Sequence, residues 1–305
     1  MTDNPTDPLS SVIALLKPQP SISKIVEASG QWQVERHDMA SPFYCAVVSG
    51  RCYLKIPDRD AVTLNAGDFV LIPDIHRFTM SSSPNPSPHA PHLPLKIGPG
   101  TFHLGPVSAP VELRALIGHC QFKTPERELL LSLLPEMIHV SGHNRLMALV
   151  HMIHEETSAD RPARSMILER LLEVLMVDAV RSTSGKTLPP GMLRSMSDPQ
   201  LSSALHRIHA DASQALSIAE LARESGMSRS GFFERFRKEV GSTPMEYVTA
   251  WRMAVARDLL LRGGLSNNEI ALRVGYGSAS AFGMVFSRHH GFSPSAFIKI
   301  HRELA

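Results

Sequence analysis

The sequence predicts an α+β protein: an N-terminal β-barrel with a helical segment after it, then an all-α region. Three observations predict this. Between residues 22 and 122 short apolar runs alternate with turn residues, the pattern of many short strands. From 217 to 300 apolar residues instead recur every three to four positions, as packed helices require. That second stretch also holds one pattern twice. Glu220-Leu221-Ala222 recurs as Glu269-Ile270-Ala271, and Phe232, Phe236, Gly241, Pro244 and Tyr247 recur as Phe282, Phe286, Gly291, Pro294 and Phe297. Such a repeat is a structural unit used twice.

At the N-terminus, Asp7-Pro8 followed by Leu9, Val12, Ile13, Leu15 and Leu16 reads as a short amphipathic helix, capped by Asp7 and ended by Pro18 and Pro20. It is expected to be an arm covering the barrel. Strands are predicted at 31–36, 43–49, 51–56, 61–64, 69–72 and 111–120. Ser49-Gly50 predicts a tight hairpin turn between the second and third of these. Residues 81–110, rich in Pro, Ser, Gly and His, read as an inserted loop. Helices are predicted at 126–134, 145–155 and 165–180. In the last, Met166, Ile167, Leu168, Leu171, Leu172, Val174, Leu175, Met176 and Val177 make an apolar surface wider than one packing face needs. The extra face predicts a homodimer. The expected division is a barrel with its arm at 1–122, a helical segment at 123–184, a linker at 185–197 and a helical domain at 198–305, opened by Asp198-Pro199.

Each repeated unit has the parts of a helix-turn-helix. Ile218, Leu221 and Ala222 share one helical face; Gly226 ends that helix, and Ser228 caps the next. Phe232, Phe236 and Val240 face inward every four residues, while Arg229, Ser230, Phe233, Glu234, Arg237 and Lys238 face out. A helix between the units, from 245 to 262, spans roughly 27 Å at about 1.5 Å per residue. That suits two helices entering successive major grooves, roughly 34 Å apart on one face of a duplex.

IAELA, GMS, the F-x-x-x-F pair, G-x-x-P-x-x-Y, Arg252, IA-x-x-x-GY and G-F-S-P together resemble the DNA-binding domain of AraC/XylS-type transcription regulators over residues 198–301. The resemblance implies seven helices, with recognition helices at 229–240 and 279–290. It places Ser230, Phe233 and Glu234 toward bases in the first unit and Ala279, Ser280, Gly283 and Met284 in the second. Glu234 and Met284 depart from the family, which often has a basic residue there. A glutamate accepts from cytosine, and Met284 makes no bidentate contact, so apolar contact and shape carry more of the second readout. Arg229, Arg235, Arg237, Lys238, Arg273 and Arg288 are expected on phosphates. The 43–72 stretch, with G-D-F-V-L-I-P at its end, is similar to the cupin-type sensor domain of such regulators. This implies a small-molecule effector of unknown identity in the barrel, transcriptional activation as the family's common habit, and RNA polymerase as a further partner.

The bulk properties agree. The 305-residue chain has a formal net charge of +2, but its 31 Lys/Arg and 29 Asp/Glu are unevenly placed. From Pro199 onward there are 13 basic and 9 acidic residues, which leaves 18 and 20 before it. The basic excess therefore lies with the repeated units, as a DNA binder needs. No apolar run approaches the roughly 20 residues of a membrane span, and the N-terminus lacks a basic leader, so a cytoplasmic protein is expected. Two other readings stay open. A metal-dependent cupin enzyme fused to a DNA-binding tail needs an H-x-H pair, where this chain has Phe43-Tyr44-Cys45. His76 stands near the place of a later ligand, and His37, His89, His92, His103 and His119 are scattered, so no metal, cofactor or catalytic residue is expected. A thiol sensor would use Cys45, Cys52 or Cys120; inward-facing cysteines would instead be packing residues.

Overall fold

The computed structural model describes residues 8–37, 41–73, 77–87, 89–90, 93–122, 131, 134–183 and 198–302. The chain forms two compact units. One comprises Leu16–Arg127 and Leu134–Gly185, the other Met1–Leu15, Glu128–Leu133 and Lys186–Ala305. The N-terminal helix α1 (Pro8–Leu16) thus groups almost wholly with the C-terminal unit, where the sequence reading placed it as an arm of the barrel. His76, His92, most of the helix expected at 126–134 and the linker at 185–197 lie outside the described residues.

The first unit carries eleven described strands in two sheets: β1 (Pro18–Ala28), β2 (Gln33–His37), β3 (Phe43–Ser49), β4 (Arg51–Lys55), β5 (Val62–Asn65), β6 (Asp68–Ile72), β7 (Arg77–Ser81), β8 (Leu95–Gly98), β9 (Thr101–Leu104), β10 (Leu113–Phe122) and β11 (Ile138–Ser141). A seven-stranded sheet runs β11-β6-β3-β10-β1-β9-β8, and a four-stranded sheet runs β2-β7-β4-β5. One apolar cluster joins their inner faces: Phe43, Cys45 and Val47 from β3 meet Cys52 and Leu54 from β4 and Phe78 and Met80 from β7. This is the cupin-like barrel expected.

Three expectations need correction. Ser49-Gly50 is no hairpin, because β3 pairs with β10 and β6, whereas β4 pairs with β5 and β7. Gly50 turns the chain from one sheet into the other. Its φ is +79°, and a Cβ there would lie 1.8 Å from the Glu112 carbonyl oxygen. The β5–β6 turn is the matching corner. Ala66 N–H donates to Gly50 O at 2.9 Å and Gly67 N–H to Val47 O at 2.8 Å. Second, 81–110 is not all loop: β8 and β9 form a hairpin about Pro99-Gly100, and β9 also pairs in parallel with β1. Third, β1, β7 and β11 were not expected as strands. Pro18 and Pro20 disguise β1, yet Pro18 is its first residue and Pro20 sits at a register shift, positions where a strand tolerates proline.

Helices α2 (Asn144–Ser158) and α3 (Arg164–Arg181) follow. They pack on each other and on the sheet, burying Leu146, Leu149, Val150 and Ile153 on one and Leu168, Leu172, Leu175 and Met176 on the other, and Arg145 pairs with the buried Asp178. Helix α3 also lies against β1. Met152, Met166, Ile167 and Val174 stay exposed.

The C-terminal unit has α4 (Pro199–Ala210), α5 (Ile218–Glu224), α6 (Arg229–Val240), α7 (Pro244–Arg262), α8 (Asn267–Arg273), α9 (Ala279–His290) and α10 (Pro294–Arg302). These are the seven helices expected. No described helix is long and apolar enough to cross a membrane.

Candidate nucleic-acid interface

A side-chain cap starts each helix of the repeat, and the one read from sequence, Ser228, is among them. Ser217 accepts from Glu220 N–H at 3.2 Å to start α5, and Ser228 accepts from Gly231 N–H at 3.2 Å to start α6. In the second unit Ser266 and Glu269 form a reciprocal capping box for α8, and Ser278 accepts from Ala281 N–H at 3.1 Å to start α9. Each cap satisfies backbone donors that the first turn leaves unpaired. Helices α6 and α9 both end on a left-handed glycine, Gly241 and Gly291.

Packing repeats as closely. Phe232 and Phe236 have ring centroids 5.6 Å apart, and Phe282 and Phe286 are 5.5 Å apart. Phe236 meets Tyr247 edge-on at 5.7 Å and 72°; Phe286 meets Phe297 at 5.7 Å and 71°. Between the units runs α7, about 28 Å long at about 1.5 Å per residue. Its N-terminal half carries Tyr247 and Trp251 to the first unit, where His209 bonds the Tyr247 hydroxyl at 2.7 Å. Its C-terminal half gives Met253, Ala256 and Leu260 to the core of the second. Arg252, midway, donates to the Gln214 carbonyl at 2.5 Å and lies over the Tyr276 ring. Gly275 permits this: a Cβ there would stand 2.6 Å from the guanidinium.

Because these residues face inward, the opposite faces are left free. On α6, Ser230, Phe233, Glu234 and Arg237 fall at i, i+3, i+4 and i+7, one face of a helix. Phe233 is half-buried; the other three are exposed, as are Arg229 and Lys238. On α9 the matching stripe is Ser280, Gly283 and Met284, with Ala279 at the start and Arg288 near the end. Ser280, Met284 and Arg288 are exposed, and Ala279 and Gly283 are half-buried. None of the expected base- or phosphate-facing residues of these helices is fully buried. Arg235, though exposed, is engaged within the protein. Its Nε donates to Asp198 at 3.1 Å and its Nη1 to Gln200 at 2.8 Å, so it ties α6 to the start of α4. Sequence reasoning missed this, since the partners lie 35 and 37 residues away.

The barrel holds a second feature. An apolar cavity of about 40 Å³ is walled by Trp32, Phe43, Phe78, Met80, Leu113 and Ile117, among others. The three cysteines are buried free thiols, and burial pushes Cys52 and Cys120 up to about 12 and Cys45 well above its ordinary value. They are protonated packing groups at neutral pH, the opposite of an activated thiolate. Among the described residues no group of three or more His, Cys, Asp and Glu is placed to hold a metal ion. His103 is instead bonded to Ser29 at 2.8 Å.

Comparison with known proteins gives two family matches. Residues 7–184 match a family described as Cupin, and residues 221–300 match one described as Helix-turn-helix domain. The chain is 30% identical to an AraC-like transcription regulator of Streptomyces lividans over 96% of its own length and 98% of that protein. It is 30% identical to one of Streptomyces antibioticus with the same coverage. Among solved structures it is similar to the DNA-binding domain of AdpA in complex with a target DNA, at 31% identity and TM-score 0.33, covering 35% of this chain and 95% of that one.

Proposed function

Since the chain belongs to the AraC-like transcription regulators and is a DNA-binding member with a cupin domain, we propose that a small molecule held in the barrel controls its sequence-specific binding to promoter DNA. The observation that carries this reading is the repeated outer stripe: Ser230, Phe233 and Glu234 on α6, and Ser280, Gly283 and Met284 on α9. These stripes read base edges in two successive major grooves. Arg229, Arg237, Lys238, Arg273 and Arg288 hold phosphates and supply the salt-sensitive part of the affinity. The exposed Met284 suits a thymine methyl, while Glu234 accepts from cytosine N4.

The cupin-like barrel supports effector control, because a small barrel can hold one small ligand between its sheets. The effector must bind one arrangement of the protein better than the other, or it shifts nothing. Met166, Ile167 and Val174, exposed on α3, are the face through which two copies pair. Activation through RNA polymerase completes the reading. The test is selection of bound fragments from random duplex DNA by the full chain, repeated with candidate metabolites. The expected result is a site with two blocks about one helical turn apart, whose binding falls steeply with salt. Recovery of no enriched sequence under any condition would overturn it.

A further inference from the structure

Helices α6 and α9 are held against their units in different ways. The repeat sets Arg235 of α6 against Val285 of α9, each directly after a residue expected to face bases, Glu234 or Met284. Val285 packs against the apolar core of the second unit. Arg235 makes a polar fork instead, and all three guanidinium nitrogens are used. Nε and Nη2 donate to Asp198 Oδ2 at 3.1 and 2.5 Å, and Nη1 donates to Gln200 Oε1 at 2.8 Å. The other carboxylate oxygen, Asp198 Oδ1, accepts from Gln200 N–H at 3.0 Å and so caps α4. The Asp198 side chain is only 16% exposed, so this is not a fully solvated surface pair. Elsewhere on α4, Arg207 pairs with Glu224 and, at 3.9 Å, with Glu220 of α5. Both helices of the first unit are thereby bonded to α4.

The two kinds of contact constrain a helix differently. Burial of Phe232, Phe236 and Val240 holds α6 down, but apolar attraction is non-directional. A planar guanidinium with three hydrogen bonds fixes direction as well as distance. Direction matters for a helix that reads base edges, because side chains at a binding site must be held to within about 0.5 Å and 10–20° of the productive geometry. Arg235 adjoins Glu234 in the chain, so a rotation of α6 that breaks the fork also re-aims the carboxylate.

We propose that Arg235 is a positioning residue for DNA readout by the first unit: its bonds to Asp198 and Gln200 set the angle at which α6 presents Ser230, Phe233 and Glu234. Discrimination at one block of the site then depends on a contact made away from the DNA. The block under α9 does not depend on it, because a valine stands at the matching position. This rests on the reading that α6 and α9 each take one block.

Fragments selected by the unaltered full-length chain give the preferred site, and the block whose preference shifts with Glu234→Ala is the one under α6. Binding is then measured to that duplex and to duplexes changed in one block or the other. Arg235→Met keeps an aliphatic stem and removes the fork. It should cut discrimination at the α6 block about five-fold and at the α9 block by less than about two-fold, with the salt dependence unchanged. Asp198→Asn should give the same pattern, since asparagine still caps α4 but lacks the charge, and it carries the test should Arg235→Met fail to melt cooperatively. The double variant should be no worse than the worse single one. Equal losses at both blocks, or full discrimination in the variants, would leave the fork a structural brace and overturn the proposal. A slope of log affinity against log salt lowered by about 1 would put Arg235 on a phosphate and overturn it as well. If the unaltered chain enriches no site, the DNA-readout reading falls and takes this one with it.

Discussion

Helices α6 and α9 share their inner faces and differ on their outer ones. Phe232, Phe236 and Tyr247 pack as Phe282, Phe286 and Phe297 do, to within 0.1 Å in ring spacing. Outside, Phe233 and Glu234 stand where α9 has Gly283 and Met284. The inner face answers to a close-packed core, in which one lost methylene is felt. On the proposed reading the outer face answers to DNA instead, and one scaffold carries two reading heads that differ at these positions.

The sharpest test of the shared half is a matched pair of substitutions. Phe236→Ala and Phe286→Ala should each cost about 3–5 kcal/mol in urea unfolding, since both rings are fully buried. A difference between them beyond about 2 kcal/mol would break the equivalence of the two units.

The barrel offers a test of its own. Desolvation, with Arg36 and Lys24 nearby, depresses His119 to about 3. The unfolded chain takes up this proton near pH 6.5, and the folded chain does not until about pH 3. The contribution is therefore present above pH 6.5 and is lost as pH falls through that window, at about 1.4 kcal/mol per pH unit. His119→Leu should flatten the acid limb by that slope, and an unchanged pH profile would refute the assignment.

The outer faces predict smaller effects. Glu234→Ala should relax preference at one base pair, worth about 1–3 kcal/mol in relative affinity, and leave folding intact. Met284→Ala should shift preference less, by about 1 kcal/mol, through lost apolar contact. Selection of bound sequences with each variant reads both, and a Met284→Ala effect larger than that of Glu234→Ala would reverse the comparison.

The least effect separates two neighbours on α6. Arg237→Ala should lower the slope of log affinity against log salt by about 1. Arg235→Ala should leave that slope alone and cost about 1 kcal/mol of stability, because its guanidinium is engaged by Asp198 and Gln200. Equal slopes for the two variants would put Arg235 back on the phosphates.

By itself the sequence determined the C-terminal unit almost residue by residue. Its caps, glycine stops and Phe spacing act within a few positions along the chain, and duplication wrote the signal twice. For the barrel it determined that strands exist, not how they pair. Gly50 announces a sharp turn, but only the tertiary structure decided that β3 and β4 part there into different sheets. Proline hid β1 until its neighbours β9 and β10 accounted for it. Nothing in the sequence brings Lys24 and Arg36 together. They become wall residues of one cavity because strand pairing, a non-local event, turns them inward from two sheets onto the same apolar space.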